Sequence, residues 1–296
     1  MHGCAPGVRP TESITAMDDP KQREDTGGSS GPRHDAPEEQ PQKSYETILA
    51  QQVHQAKQEL ARPARGLLLS SLAAGLEIGV GPFLMAVLLT LTKGVLSRPV
   101  VELLLALGYS VGFILVVVGR SELFTEHTAL AVQPVLDRAV PVLKLMRLWG
   151  LVLAGNLLGA TLFSAFAAYL GPALGVMDRS AIGELAHNVI KHSSGTLFLS
   201  AVMAGWLMGL VAWIATAARE TISQVVLVGL ITLAIGLAHL HHSIAGAVEV
   251  LMGVFAGHGA SVADFGRFLL LSVLGNAVGG SIFVALLKHG HVRHSA

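Results

Sequence analysis

The sequence predicts an all-α membrane protein with six transmembrane helices, of which the second and the fifth are interrupted. Three observations predict this class: few charges after residue 65, apolar stretches long enough to cross a bilayer, and a motif that returns at the same spacing in both halves. The 296-residue chain is 52% hydrophobic and 14% charged, and its formal net charge is zero.

The charged residues are distributed very unevenly. Residues 1–65 hold 18 of the 40, and residues 66–287 hold only 20, about 9% of that stretch. A soluble domain carries roughly 25% charged residues, so this composition excludes an ordinary soluble enzyme. A nucleic-acid partner is not expected, because there is no basic stripe to neutralise phosphates. The single cysteine, Cys4, excludes a disulfide framework and a thiolate metal site, and no cofactor is expected.

Two different segments precede the apolar part of the chain. Residues 1–43 predict a disordered cytoplasmic tail, because they are polar and contain few large apolar side chains. The chain does not start with a positively charged segment followed by an apolar run, so a cleaved signal peptide is not expected. Residues 44–65 predict an amphipathic helix with Ser44 as its N-cap, lying on the membrane surface or packed on the transmembrane body. A solvated linker helix is the alternative.

Residues 66–288 predict the six-helix pore domain, and residues 289–296 a second cytoplasmic tail. A transmembrane helix needs about 20 mostly apolar residues. Four simple stretches meet this length: 66–92, 148–170, 194–218 and 267–287.

Two longer apolar stretches, 101–136 and 225–257, contain polar breaks at 119–122 and 239–243. Each is too long for one simple span and too short for two spans with a turn. A discontinuous helix fits both stretches.

A short motif relates the two halves. Residues 155–160 (GNLLGA) match residues 275–280 (GNAVGG), 120 positions later, and Glu122 and His242 each precede the motif asparagine by 34 residues. Three spans per repeat is an odd number, so we expect the second copy to be inverted. Interrupted helices at corresponding positions of inverted repeats indicate a transporter's substrate site.

The basic residues near the membrane ends predict the orientation. With the N-terminus cytoplasmic, the inner segments carry nine Lys and Arg residues and the outer loops carry five. The positive-inside bias therefore favours two cytoplasmic termini.

The breaks concentrate the ionisable residues of the apolar region. New half-helices are expected near Ser121 and Ser243, with these serines as N-caps and with free N–H groups that favour a small anion. The ionisable residues there are Arg120, Glu122, Glu126, His127, His239, His241 and His242. Such groups in a membrane suggest function.

Other interpretations of these residues remain open. Arg120 paired with Glu122 or Glu126 would be a neutralised internal ion pair, and each histidine alone could be a core residue. Histidine also titrates near neutral pH, which suits a pore. A metal site is not expected without facing carboxylates, and no nucleophile, base and orienting group indicate an enzyme.

Four segments resemble motifs of the formate/nitrite transporter family, and the resemblance covers about residues 44–290. The segments are 121–125 (SELFT), 242–245 (HSIA), 147–149 with 155–159 (RLW and GNLLG), and 275–280 (GNAVGG). The resemblance implies an aquaporin-like six-helix protomer in a homopentamer of the bacterial inner membrane. It also implies passage of small monovalent anions such as formate or nitrite, often coupled to protons.

The same resemblance implies roles for individual residues. Thr125 would hydrogen-bond the central histidine, His242, and Lys191 would attract anions in a vestibule. The implied constriction residues are Leu123, Phe124, Tyr109, Phe113 and Ile235. The candidate selectivity residues are Arg120, Glu122, Glu126 and His241; the charges at 120 and 126 and the histidine at 241 depart from the family pattern.

These residues suggest a mechanism in which an anion, concentrated in the vestibule, passes the constriction as its neutral acid after proton donation by His242 or through water. Two other functions remain open. One is a non-transporting structural or sensory membrane protein whose path is plugged by an Arg120–Glu126 ion pair. The other is a channel for neutral small solutes.

Overall fold

The computed structural model describes residues 42–295, and within that range all regular structure is helical. Cys4 and nearly all of the predicted tail 1–43 lie outside the described residues. The helices are α1 (Tyr45–Ala61), α2 (Ala64–Thr92), α3 (Arg98–Gly119), α4 (Phe124–Leu130), α5 (Gln133–Leu136), α6 (Val142–Ala173), α7 (Arg179–Ile190), α8 (Ser194–Ala217), α9 (Thr221–Leu237), α10 (Ser243–Ala256), α11 (Val262–Gly280) and α12 (Leu287–Ser295), with a π-helical segment at Ser281–Leu286.

Five of the described helices, α2, α3, α6, α8 and α11, are long and apolar enough to cross a membrane. The four simple stretches of the sequence fall on α2, α6, α8 and α11 with its π-helical extension. The two longer stretches divide: the first into α3, α4 and α5, and the second into α9 and α10. Helices α9 and α10 are apolar but shorter than the other five.

Helix α1 packs on the helical body instead of standing apart from it. The Ser44 hydroxyl caps its first turn by accepting from Thr47 N at 3.3 Å. Ile48 and Leu49 are buried against Trp213 of α8. The buried side chain of Gln52 accepts a hydrogen bond from Gln133 Nε2 at 2.6 Å, which ties α1 to α5.

The long helices form two groups with the same packing scheme. Helix α2 packs on α3 and α6, and α8 packs on α9 and α11. The short helices cross between the groups: α4 contacts α8 and α11, whereas α10 contacts α2 and α6. The two breaks of the chain are thereby brought into the middle of the bundle.

Glycines permit the closest helix contacts in both groups. A Cβ at Gly75 would overlap the backbone of Asn156, and a Cβ at Gly205 would overlap the backbone of Asn276. Small residues at such crossings allow backbones to approach in membrane helices. The motif asparagines are therefore held directly against α2 and α8.

Helix α7 is absent from the sequence predictions. It follows Asp178 and buries Ile182, Leu185 and Ile190 at helical spacing. It packs against α10, where it forms part of the wall of the candidate site.

Candidate functional site

The two breaks have the same backbone form. Helix α3 ends at Gly119 and Arg120 follows with φ 56°, while α9 ends at Leu237 and His239 has φ 51°. A left-handed conformation is uncommon in residues other than glycine. In each break the chain then becomes extended and starts a second helix.

Each break is bridged by the asparagine of the repeated motif. Asn156 Oδ1 accepts from Phe124 N at 2.8 Å, and its Nδ2 donates to the carbonyls of Ser71 and Glu122, both at 2.8 Å. Two of these bonds, to Phe124 N and the Glu122 carbonyl, satisfy backbone groups that the break leaves without helical partners.

Asn276 repeats this pattern at the second break. Its Oδ1 accepts from Ser243 N at 2.7 Å, and its Nδ2 donates to the carbonyls of Ala201 at 2.8 Å and His241 at 3.0 Å. The sequence repeat is therefore a repeat of hydrogen bonding across the breaks.

The expectation of free N–H groups at the half-helix starts needs correction. The N-cap residues are Leu123 and His242, not Ser121 and Ser243. The first amides of α10 are occupied, because Ile244 N and Ala245 N donate to His242 Nδ1 at 3.2 and 3.1 Å. Side chains already cap these amides, so they are not free for an anion.

His242 and Thr125 meet between the two breaks. Thr125 Oγ1 lies 2.8 Å from His242 Nε2, and both residues are buried. Since two backbone amides donate to Nδ1, that nitrogen is the unprotonated acceptor of the ring. The neutral ring then carries its proton on Nε2 and donates it to Thr125 Oγ1.

Apolar side chains surround the pair on one side. The Phe113 ring meets the His242 ring edge-on with centroids 4.9 Å apart, and the tilted Tyr109 ring lies 5.0 Å from the Phe113 ring. Leu123 and Ile235 are buried in the same apolar cluster. The structure thus places Phe113 against His242 and Tyr109 against Phe113, while the role of all four residues in a constriction stays a prediction.

The fifth predicted constriction residue, Phe124, is buried in a different cluster. It packs with Leu60, Leu67 and Leu148 and lies 5.9 Å from the Trp149 ring. Successive side chains at the start of a helix point in different directions, so Leu123 and Phe124 are buried in different clusters.

A cavity of about 400 Å³ leads to the histidine from the opposite end of the bundle to α1. Tyr109, Ile235, His242 and Glu249 line the cavity along with residues of α7. This volume is enough for several water molecules together with a small solute, at roughly 30 Å³ per water.

His241 faces a different set of partners. Its Nε2 donates to the carbonyl of Val189 at 2.9 Å, and its Nδ1 accepts from Ser200 Oγ at 2.7 Å. Both ring nitrogens are satisfied, and the ring lines the cavity wall. These bonds fix a neutral tautomer and orient the ring.

The acidic residues of the first break do not pair with Arg120. Glu122 bonds Arg62 at 2.7 Å and also His127. Within residues 42–295, exposed Arg120 forms no ion pair with Glu122 or Glu126. The internal pair and the plug proposed from Arg120 are therefore not formed.

Arg62 connects that break to α1. It bonds Glu59 at 2.6 Å as well as Glu122. Burial and the neighbouring Glu122 carboxylate raise the pKa of Glu59, and Arg62 acts in the opposite direction.

Lys191 lies at the C-terminal end of α7, and its Nζ donates to Asn188 Oδ1 at 2.8 Å. Asn188, but not the exposed Lys191, lines the cavity. The nearest cations of the cavity mouth are instead Lys93 and Arg98.

Sequence reasoning missed three contributors to this site. Asn156 and Asn276 were recognised only as part of a repeat, although their matched distances to the breaks were the available signal. Glu249 was overlooked, and its signal was plain: it is the one charged residue of the otherwise apolar α10.

A cavity that ends at a buried His–Thr pair between two helix breaks, among helices apolar enough to cross a membrane, is the arrangement expected of a membrane channel or transporter. The family model described as formate/nitrite transporter matches residues 46–290. The chain therefore belongs to the formate/nitrite transporter family, which confirms the resemblance predicted from its motifs.

Curated relatives agree with this assignment. The chain is 36% identical over 241 residues to the inner membrane protein YfdC of Escherichia coli, covering 80% of this chain and 76% of that protein. It is 28% identical to a probable formate transporter of Methanothermobacter thermautotrophicus, covering 76% and 88%. It is 26% identical to the nitrite transporter NirC of Escherichia coli, covering 75% and 81%.

Solved structures share the fold. An FNT family ion channel superposes with a TM-score of 0.73 at 24% identity, covering 84% of this chain and 99% of that one. A pentameric formate channel with formate bound gives a TM-score of 0.63 at 23% identity, covering 79% and 98%.

Proposed function

We propose that this protein conducts small monovalent weak-acid anions, such as formate or nitrite, together with protons. Membership of the family supports an anion channel or transporter. The observation that carries the proposal is the His242–Thr125 hydrogen bond at the inner end of a cavity within an apolar bundle.

In the proposed arrangement the protein spans the bacterial inner membrane six times, with α3–α4 as the second span and α9–α10 as the fifth. The two halves are inverted relative to each other, and both termini are cytoplasmic. The cavity then opens on the periplasmic side. Residues 1–43 form a tail, residues 44–65 an amphipathic helix packed on the transmembrane body, and five protomers assemble, as in the pentameric formate channel.

The mechanism follows from the cost of moving a bare anion. An isolated charge in a medium of low dielectric is expensive and tends to be neutralised. The apolar wall of Tyr109, Phe113, Leu123 and Ile235 therefore favours the neutral acid over its anion.

His242 orients this passage and is not itself the acid. Its Nδ1 accepts two backbone amides, so protonating that nitrogen would remove the cap of α10. With Nε2–H donated to Thr125 Oγ1, the threonine hydroxyl is free to donate to the passing solute. The proton that neutralises the anion comes through the cavity, by way of water.

A substrate panel tests this function. Purified protein in liposomes would be assayed by stopped flow for formate, nitrite, hydrosulfide, acetate and lactate, against protein-free liposomes. We expect saturable, pH-dependent flux for at least one anion. No flux above the control for any of them would favour a structural or sensory protein, and flux of neutral solutes without anion competition would favour a neutral-solute channel.

A further inference from the structure

Glu249 is a buried carboxyl group that the proposed mechanism does not use. It lies in α10, lines the cavity and is 7% exposed. His242 precedes it by seven residues, which is close to two helical turns, so the two residues share the cavity face about 10 Å apart along the helix.

The cations at the cavity mouth are already matched by other carboxylates. Lys93 bonds Glu184 at 2.5 Å. Arg98 lies 3.5 Å from Glu102, which His239 also contacts at 3.2 Å. These cations are therefore balanced at the mouth and are not the partners of Glu249.

The inner end of the cavity offers Glu249 no cation either. The titratable groups there are Tyr109 on α3, His241, and His242 with its Nδ1 occupied by backbone amides. Within residues 42–295, Glu249 has neither an ion pair nor a hydrogen bond to a protein group. Its side chain therefore faces the cavity without a protein partner.

A permanent carboxylate in this position would work against the proposed transport. It would share a cavity of about 400 Å³ with the entering anion and repel it. A protonated carboxyl has the opposite effect, because its O–H donates to an anion. The cavity also gives this group access to water, along which a solvent proton can reach it.

We propose that Glu249 is the proton-exchanging residue of the cavity, which protonates a weak-acid anion before it reaches the Tyr109–Phe113 wall. The inference rests on the proposed function. The Glu249 O–H bond breaks, an O–H bond forms on the substrate, and the neutral acid continues past His242. The resulting carboxylate takes up a solvent proton, which arrives as hydronium along the water of the cavity and leaves a water molecule behind.

This step defines the substrate class. It requires an anion basic enough to accept a proton from a carboxyl group, that is, the anion of a weak acid such as a small monocarboxylate. Anions of strong acids, such as chloride and nitrate, do not accept it and are excluded at this point.

The test is formate flux in proteoliposomes containing Glu249→Gln, measured from neutral to acid pH. We expect flux at neutral pH to fall on the order of a hundredfold, the lower end of the range for a positioned proton donor. The flux of this variant recovers at acid pH, where the solvent already contains the neutral acid. The variant Glu249→Asp retains a carboxyl group and restores part of the flux at neutral pH. Glu220→Gln, which replaces an exposed carboxyl at the N-cap position of α9, is the control and keeps wild-type flux.

Unchanged or faster flux in Glu249→Gln would overturn the inference, since the carboxyl would then be inert or merely repulsive. Wild-type protein without any anion flux would instead refute the proposed function.

If Glu249→Gln does not fold, carbodiimide labelling of the wild-type protein replaces the flux assay, because this reagent attacks protonated carboxyls. A Glu249 adduct whose formation is suppressed by formate supports the inference. If no Glu249 adduct forms, the inference is overturned.

Discussion

Asn156 and Asn276, 120 residues apart, make the same set of three hydrogen bonds at the two helix breaks. In each case Oδ1 accepts the first amide of the new helix, and Nδ2 donates to one carbonyl of the break and one of a neighbouring helix. The breaks are thus stabilised by side chains that belong to other helices, α6 and α11. The positions of Thr125 and His242 depend on these two amides.

Replacing Asn276 with Asp should destabilise the protein while preserving its size. The carboxylate still accepts from Ser243 N, but it cannot donate to the carbonyls of Ala201 and His241. Each buried group left without a partner costs about 1–3 kcal/mol. The check is the melting temperature in detergent, with the half-exposed Leu274→Ala on the same helix as control. Equal melting temperatures in the two variants would contradict the bridging role.

Thr125→Val should reduce anion flux with little change in packing. Valine has nearly the shape of threonine but leaves the buried His242 Nε2–H without an acceptor and removes the hydroxyl offered to the solute. Thr125→Ser keeps the hydroxyl and should retain most of the flux. The check is the initial rate of anion flux for each variant in proteoliposomes. Equal rates for Thr125→Val and Thr125→Ser would show that the hydroxyl has no role in transport.

Ile235→Ala should relax the size limit of the constriction. Ile235 is fully buried and lines the cavity together with Tyr109 and His242, and truncation leaves a space. We expect the ratio of lactate to formate flux to rise severalfold. Leu230→Ala, an exposed position of the same helix, is the matched control. A ratio that rises equally in both variants would place the size limit elsewhere.

Arg62→Met should loosen the contact between α1 and the first break. It removes the cation shared by Glu59 and Glu122 and leaves two close carboxylates. Arg62 is partly exposed, so we expect a loss of about 1–3 kcal/mol, between the values for surface and buried ion pairs. Thermal unfolding in detergent measures it, with the exposed Arg65→Met as control. No difference between the variants would mean that the pair adds no stability.

Most of the helices could be predicted from the sequence, because helices that cross a membrane are long and apolar. The family was predicted correctly from four motifs, and the polar interruptions fall where α3 and α9 end. Helix α7 was missed because its apolar face is short and its hydrophobicity modest. The predicted N-caps, Ser121 and Ser243, were wrong. The capping bonds come from His242 and from Asn156 and Asn276 on other helices, which the local sequence around a serine cannot show.

The candidate site was less accessible to sequence reasoning, because side-chain direction is set by tertiary packing. Leu123 and Phe124 are neighbours in sequence yet belong to different clusters. Glu122 was expected to find a cation beside it and instead pairs with Arg62, 60 residues away. Lys191 lies outside the cavity wall, and Glu249 lies in it without having been noticed.

The central claim is that protons and a weak-acid anion pass His242 together. The most direct measurement is formate-driven acidification inside proteoliposomes that contain a pH-sensitive dye, comparing wild-type protein with His242→Phe. We predict rapid, saturable acidification with the wild-type protein and a loss of most of its rate in the variant, at equal protein incorporation. Equal, pH-dependent acidification by both proteins would contradict the account.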